Sequence, residues 1–208
     1  DLSPGDLVGH FEIETCIGEG GFGLVYRARQ VSPIKRIVAI KLLKSGVESL
    51  AIIRRFELER QALAQLAHPN IARIYEAGQT DHHRPYVAME YVDGLPITTY
   101  CEQNSVPLEE RLQLFASVCA AVQHAHERGF IHRDLKPGNI LVTTEASVPV
   151  AKVIDFGIAK AISSHEASEH TKAGQIVGTL DYMSPEQLLG AEGDIDTRSD
   201  VYALGVVL

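Results

Sequence analysis

The sequence predicts an α+β chain in two lobes: a five-stranded antiparallel lobe carrying one main helix, then a mainly helical lobe. Three observations predict it. Up to about residue 92, short runs alternate apolar and polar side chains between glycine-rich and polar turns, which is the period of half-buried strands. Apolar residues then recur at helical spacing, once within the first lobe (47–67) and again over a long stretch after residue 107. Between the two halves Asp93-Gly94 breaks every pattern, which places a hinge near 91–95 and two domains at 1–92 and 93–208.

Each element has its own signal. Residues Phe11 to Ile17 alternate, Gly18 to Gly23 interrupt, and Leu24 to Arg29 alternate again, so the chain runs strand, glycine-rich turn, strand. A third strand is expected over Ile37 to Leu43. Across 47–67 the stripe Ile52, Phe56, Leu63 and Leu66 is completed by Glu59, a carboxylate on the buried face that requires a basic partner. Lys41 on the preceding strand is the candidate. His68-Pro69-Asn70 ends that helix, and Ile71 to Ala77 and Tyr86 to Val92 read as two further strands about a polar turn. In the second lobe Leu108, Leu112, Phe115, Cys119, Val122 and His126 predict the buried face of a helix opened by Pro107 and closed by Gly129. Ile140 to Val142 and Val150 to Ile154 predict a small hairpin.

Composition narrows the function. The 208 residues are 45% hydrophobic and 22% charged, a globular balance, and 19 basic against 27 acidic side chains leave a formal charge of −8. That charge, without a basic run, argues against a nucleic acid partner. No apolar stretch approaches the roughly 18 residues that cross a bilayer, so no membrane segment is expected within this piece. Cys16, Cys101 and Cys119 are widely spaced and suggest neither a disulfide framework nor a zinc site, and a cytoplasmic location is expected. Asp1 at one end and the apolar helix ending at Leu208 suggest a chain cut from something longer.

Two segments carry chemistry. His132-Arg133-Asp134-Leu135-Lys136-Pro137-Gly138-Asn139 offers a carboxylate for a hydroxyl proton, a lysine for phosphate charge and an amide oxygen for a metal. Asp155-Phe156-Gly157 adds a carboxylate on a glycine hinge, so that Asn139 and Asp155 form an all-oxygen pair suited to Mg²⁺ or Mn²⁺. Gly18-x-Gly20-x-x-Gly23 alone also fits dinucleotide folds, but here the glycines join two strands and Val25 follows. Val38-Ala39-Ile40-Lys41 puts an ammonium on the strand beside them.

With these motifs the chain resembles the eukaryotic-like (Hanks-type) serine/threonine protein kinases of bacteria, and the resemblance covers nearly its whole length. It implies a protein-kinase-like fold with an incomplete helical lobe, and transfer of the γ-phosphoryl group of ATP to Ser or Thr hydroxyls of proteins. By the same resemblance Asp134 is the catalytic base, Lys136 contacts the transferred phosphate, and Lys41, held by Glu59, contacts the α- and β-phosphates. Gly18, Gly20, Gly23, Val25, Ala39, Met89, Glu90, Val92 and Leu141 would surround the nucleotide, with Met89 as gatekeeper and the backbone of Glu90 and Val92 facing adenine. His132 and Phe156 would pack in a buried spine with Leu63 and Ile74. The segment from Asp155 to Glu186, polar and without an apolar period over 163–175, reads as an activation loop with Thr171 and then Ser168 as phosphosites, autophosphorylation by self-association, and Thr179 near Asp134.

Ser184 stands where such kinases more usually carry Ala. Glu186 is expected to lack its arginine partner, and Asp200 is expected to anchor the backbone of the 132–139 loop. The implied whole protein includes a membrane anchor outside this piece. Two rivals share the fold. A pseudokinase or scaffold binds nucleotide without transfer but usually lacks the Lys, Asp or Asn kept here. A small-molecule phosphotransferase usually lacks the Lys-Pro-x-Asn loop and the Gly-Thr to Pro-Glu segment, and a tyrosine kinase typically carries Ala or Arg at the position of Lys136.

Overall fold

The computed structural model describes residues 2–20, 23–43, 66–156, 180–189 and 195–208. Two compact units emerge. The first gathers the described residues up to 43 together with 73–91, and the second gathers 66–72 with 92 onward.

Strands β1 (Leu7–Val8), β2 (Phe11–Gly20), β3 (Gly23–Gln30), β4 (Arg36–Leu43), β5 (Ile74–Gln79) and β6 (Pro85–Glu90) build the first unit. They form one antiparallel sheet in the order β1-β2-β3-β4-β6-β5. The five expected strands are all present, and a sixth joins the edge. Two residues are too short to show any periodicity, so β1 had no sequence signal. Val8, Phe11, Ile13, Tyr26, Ala28, Val38, Ile40, Leu42, Tyr86 and Ala88 form a buried apolar cluster on one face.

The sheet is curled enough for its two margins to meet. His10, in the turn between β1 and β2, places Nε2 3.2 Å from Glu76 Oε2 on β5, and Tyr86 donates its hydroxyl to Glu76 Oε1 at 2.9 Å. Burial first and this carboxylate second push the Tyr86 phenol well above its ordinary value. Pairs Arg29–Glu12 (2.8 Å) and Arg27–Glu14 cross between β3 and β2.

The second unit contains a three-stranded sheet of β7 (Leu95–Pro96), β8 (Ile140–Glu145) and β9 (Val148–Val153), with helices α1 (Ile97–Gln103), α2 (Leu108–His126), α3 (Pro185–Leu188) and α4 (Thr197–Val207). Residues 66–72 lie against it: Ala72 N–H donates to Val153 O (2.9 Å) and Val153 N–H to Asn70 O (2.8 Å). Helix α2 packs on β9, and Glu109 and Glu110 in its first turn suit the positive end of the helix dipole. It ends where Gly129, at φ 80°, lets Phe130 N–H return to Ala125 O.

The expected face of α2 needs correction. Its buried side chains are Leu114, Val118, Ala121, Val122 and Ala125, whereas Leu108 and Leu112 are exposed, at 73% and 46%. Both stripes have helical spacing, and the observed one is rich in small residues that let β9 approach. Large apolar side chains drew the expectation to the wrong face. On α4, Ser199, Asp200, Ala203 and Leu204 are buried while Val201, Tyr202 and Val206 are exposed, as is Leu208 at its C-cap.

The two faces of α2 predict opposite outcomes for one chemical change. Leu114→Ala should lower the free energy of unfolding by about 2–5 kcal/mol in urea titrations, and Leu108→Ala by less than about 0.5 kcal/mol. Equal losses would contradict the observed packing.

Candidate active site

In the first unit the glycine-rich segment is the β2–β3 hairpin. Gly18 pairs with Val25, Glu19 with Leu24 and Gly20 with Gly23, after a register shift between Cys16 and Gly18. Gly23 has φ 154°, and a Cβ there would lie 2.1 Å from Leu42 O, so no side chain fits where the hairpin presses on β4. Val25 pairs with Lys41, Lys41 with Val87, and Ala39 with Met89. Paired residues of an antiparallel sheet share a face, as do alternate residues along a strand. Gly18, Val25, Ala39, Lys41 and Met89 therefore line one face, and the apolar cluster of Tyr26, Val38, Ile40 and Leu42 occupies the other. Lys41 is only 5% exposed, an ammonium almost entirely withdrawn from water. Glu59, its expected partner, lies outside the described residues.

At the end of β6, Glu90 N–H donates to Arg73 O (2.8 Å) while Glu90 Oε2 accepts from Arg73 N–H (3.1 Å). That reciprocal pair fixes the backbone at Glu90. Val92 is buried in the second unit, where Leu141 pairs with Lys152 and is half-buried.

The second unit holds the loop 132–139. Two side chains converge on one carboxylate: Lys136 Nζ is 3.0 Å from Asp134 Oδ2, and Asn139 Nδ2 donates to Asp134 Oδ2 at 3.1 Å and to Asp134 O at 2.7 Å. Asn139 O accepts from Ile154 N–H at 2.9 Å, which ties the residue before Asp155 to the same frame. Asp155 itself has φ 63°. With the amide nitrogen of Asn139 committed to Asp134, its Oδ1 is the ligand-capable atom, so Asn139 and Asp155 supply only hard oxygen donors. The described residues contain no cluster of three His, Cys, Asp or Glu able to hold a metal. Two oxygen ligands without a protein cage suit a Mg²⁺-like cation that completes its shell with water and phosphate.

His132 underlies this loop. Its ring is fully buried, 4.7 Å from that of Phe156. Nε2 lies 3.0 Å from Ile154 O, an acceptor, and Nδ1 accepts from Asp134 N–H at 3.3 Å, so the ring is the neutral Nε2–H tautomer. Burial holds its pKa below the ordinary histidine value against the pull of Asp200.

Asp200, on α4, accepts from His132 N–H (2.8 Å, Oδ2), Arg133 N–H (2.8 Å, Oδ1) and His126 Nε2 (2.7 Å, Oδ2). Burial alone would raise this carboxyl; the His126 hydrogen bond and the two backbone amides outweigh it and hold the pKa below the ordinary value. Arg133, gripped in this way, adopts φ 64°.

A family model for the protein kinase domain matches residues 11–208. The chain belongs to the protein kinase domain family. Among curated relatives it is 40% identical over 195 residues to a probable serine/threonine-protein kinase PknB of Lactococcus lactis, covering 92% of this chain and 30% of that protein. It is 41% identical over 211 residues to serine/threonine-protein kinase Pkn1 of Myxococcus xanthus, covering 100% of this chain and 29% of that protein. It is 40% identical over 205 residues to PrkC of Bacillus subtilis, covering 97% of this chain and 30% of that protein. The chain thus spans less than a third of the length of these relatives. Among solved structures, the Mycobacterium tuberculosis PknI kinase domain superposes with a TM-score of 0.72 at 29% identity, over 98% of this chain and 74% of that one.

Within this kinase domain, Thr171, Ser168 and Thr179 lie outside the described residues. Glu186, expected to lack its arginine partner, accepts a short hydrogen bond from the Ser199 hydroxyl, which together with its own backbone keeps its carboxyl below the ordinary value. Ser184 uses its side chain where Ala could not: Ser184 and Gln187 form a capping box at the start of α3. Two contributors escaped sequence reasoning. Gln187, whose Ser-x-x-Gln spacing was a readable signal, also donates to Arg133 O at 2.8 Å. His126 reaches Asp200 from another helix, and nothing in the sequence marks that pairing.

Because its folded pKa is depressed, Asp200 contributes stability that is fully present above the ordinary aspartate value of about 4 and lost as pH falls through its folded value. Asp200→Asn should cost roughly 2–3 kcal/mol at pH 7, and denaturant titrations should show the gap to wild type narrowing below about pH 4.

Proposed function

We propose that the whole protein transfers the γ-phosphoryl group of ATP to Ser or Thr hydroxyls of protein substrates. The observation that carries this is the convergence of Lys136 and Asn139 on the Asp134 carboxylate, within a loop pinned by a buried Asp200. Asp134 orients the substrate hydroxyl and accepts its proton at Oδ1 or Oδ2 as the oxygen attacks in line. Lys136, now paired with Asp134, neutralises charge on the phosphoryl group in flight. Lys41, from its enclosed face of the sheet, holds the α- and β-phosphates, supported by Glu59. Gly18, Gly20 and Gly23 let backbone approach the phosphates, while Val25, Ala39, Met89 and Leu141 pack on the base and Glu90 and Val92 offer it backbone hydrogen bonds.

Asn139 Oδ1 and the Asp155 carboxylate would hold Mg²⁺ or Mn²⁺. Such an ion supplies charge neutralisation on the phosphates and a fixed template for them. The fixed orientation of the Asn139 amide supports this assignment, because its nitrogen is already taken. Thr171, then Ser168, are the proposed sites of autophosphorylation between two copies, and Thr179 contacts Asp134 and Lys136 in the ordered loop. A cytoplasmic location goes with the reading; no described helix is long and apolar enough to cross a membrane.

Labelled ATP tests all of this. The whole protein should label Ser or Thr of a general acceptor protein or of itself. Asp134→Asn should lower the rate by on the order of 10²–10⁴-fold and leave nucleotide binding within twofold by calorimetry. Nucleotide binding without any transfer by wild type would instead mark a pseudokinase, and a rate unchanged by Asp134→Asn would remove Asp134 as the base.

A further inference from the structure

The peptide unit joining Arg133 to Asp134 is held from two sides. Its N–H donates to His132 Nδ1 at 3.3 Å, and its carbonyl, Arg133 O, accepts from Gln187 Nε2 at 2.8 Å. The two amides before it, those of His132 and Arg133, are held by Asp200. Arg133 is a non-glycine residue at φ 64°, a region that costs an L-residue energy and persists only where the surroundings over-determine it. Asp200, through the Arg133 N–H, holds that φ; rotation of the next peptide, 133–134, turns ψ of Arg133 and φ of Asp134 instead and would swing Asp134. The Asp200 contacts do not block it, because they grip the amides on the other side of Arg133. The Gln187 contact to that peptide's carbonyl does, together with the longer His132 contact to its N–H.

Gln187 divides its amide between two tasks. Oε1 accepts from Ser184 N–H at 3.1 Å, closing the capping box of α3, while Nε2 reaches across to the loop. The oxygen therefore belongs to the 184–188 segment and the nitrogen to the catalytic loop. Glu186, beside it, is fastened to Ser199 on α4, so the segment that presents Gln187 is itself anchored. Ser184 is fully buried and Gln187 partly so, which keeps competing water from the link.

We propose that Gln187 is a positioning residue for Asp134: through Arg133 O it locks the 133–134 peptide and makes the orientation of the base depend on the placement of the 184–188 segment. This rests on the assignment of Asp134 as the base. It acts through the backbone and touches no substrate, so its removal should lower kcat and leave KM for ATP unchanged.

The test separates the two halves of the amide. Gln187→Glu keeps an oxygen for Ser184 N–H and removes the donor to Arg133 O; Gln187→Met removes both. In the whole protein, phosphotransfer with labelled ATP should fall by roughly ten- to a hundredfold in kcat for both variants, with KM for ATP within twofold and melting temperature close to wild type for Gln187→Glu. If Gln187→Glu keeps wild-type kcat while Gln187→Met loses it, the residue is a helix cap only and the proposal is overturned. A kcat loss that appears only with a matching loss of folded protein overturns it as well. Wild-type protein without transferase activity would defeat the function reading itself, which the wild-type control in the same assay distinguishes.

Discussion

The second unit is organised around one buried carboxylate. Asp200 is 1% exposed and accepts three hydrogen bonds, two from consecutive backbone amides of the 132–139 loop and one from His126. A carboxylate withdrawn from water is tolerable only when its lone pairs are satisfied, and here the donors that satisfy it are the ones that shape the loop. The left-handed Arg133 and the presentation of Asp134 toward Lys136 and Asn139 follow from that arrangement. Helix α4 thereby serves as the foundation of a loop more than sixty positions earlier in the chain.

The first unit solves a different problem by separating its two faces. One face is sealed by aromatic and branched side chains, and the other carries Lys41 paired with Val25 and Val87, with Gly18, Ala39 and Met89 on the same face. The strict alternation of β4 lets a charged side chain sit between two core residues without entering the core. Gly23 lets the hairpin lie directly on β4, where any side chain would collide with backbone.

Much of this was legible. Strands β2 to β6 announce themselves because alternation is a local property of sequence, and the 132–139 motif is contiguous, so residue type and spacing bring Asp134, Lys136 and Asn139, which the structure places in contact, to notice together. The failures are those of long-range information. Leu108 and Leu112 have the right period for α2 but the wrong face, because only the partner strand decides which of two stripes is buried. β1 is too short to carry a period. His126 joins Asp200 across a tertiary contact that no pattern within either helix encodes. Gln187 is the intermediate case: its capping spacing to Ser184 is visible in the sequence, whereas its hydrogen bond to Arg133 is not.

The meeting of the sheet margins at His10, Glu76 and Tyr86 bears on how the first unit comes into being. Strands β2, β3 and β4 can assemble by successive hairpins as they are synthesised, each closing a short loop. The turn before β2 gains its partner only once β5 and β6 have joined β4. The first-made segment of this unit is therefore among the last to be secured, and until then its apolar residues Val8, Phe11 and Ile13 lack part of their cover. A nascent chain halted before β6 would present those side chains to its surroundings, because Tyr86 and Ala88 of β6 complete their cover.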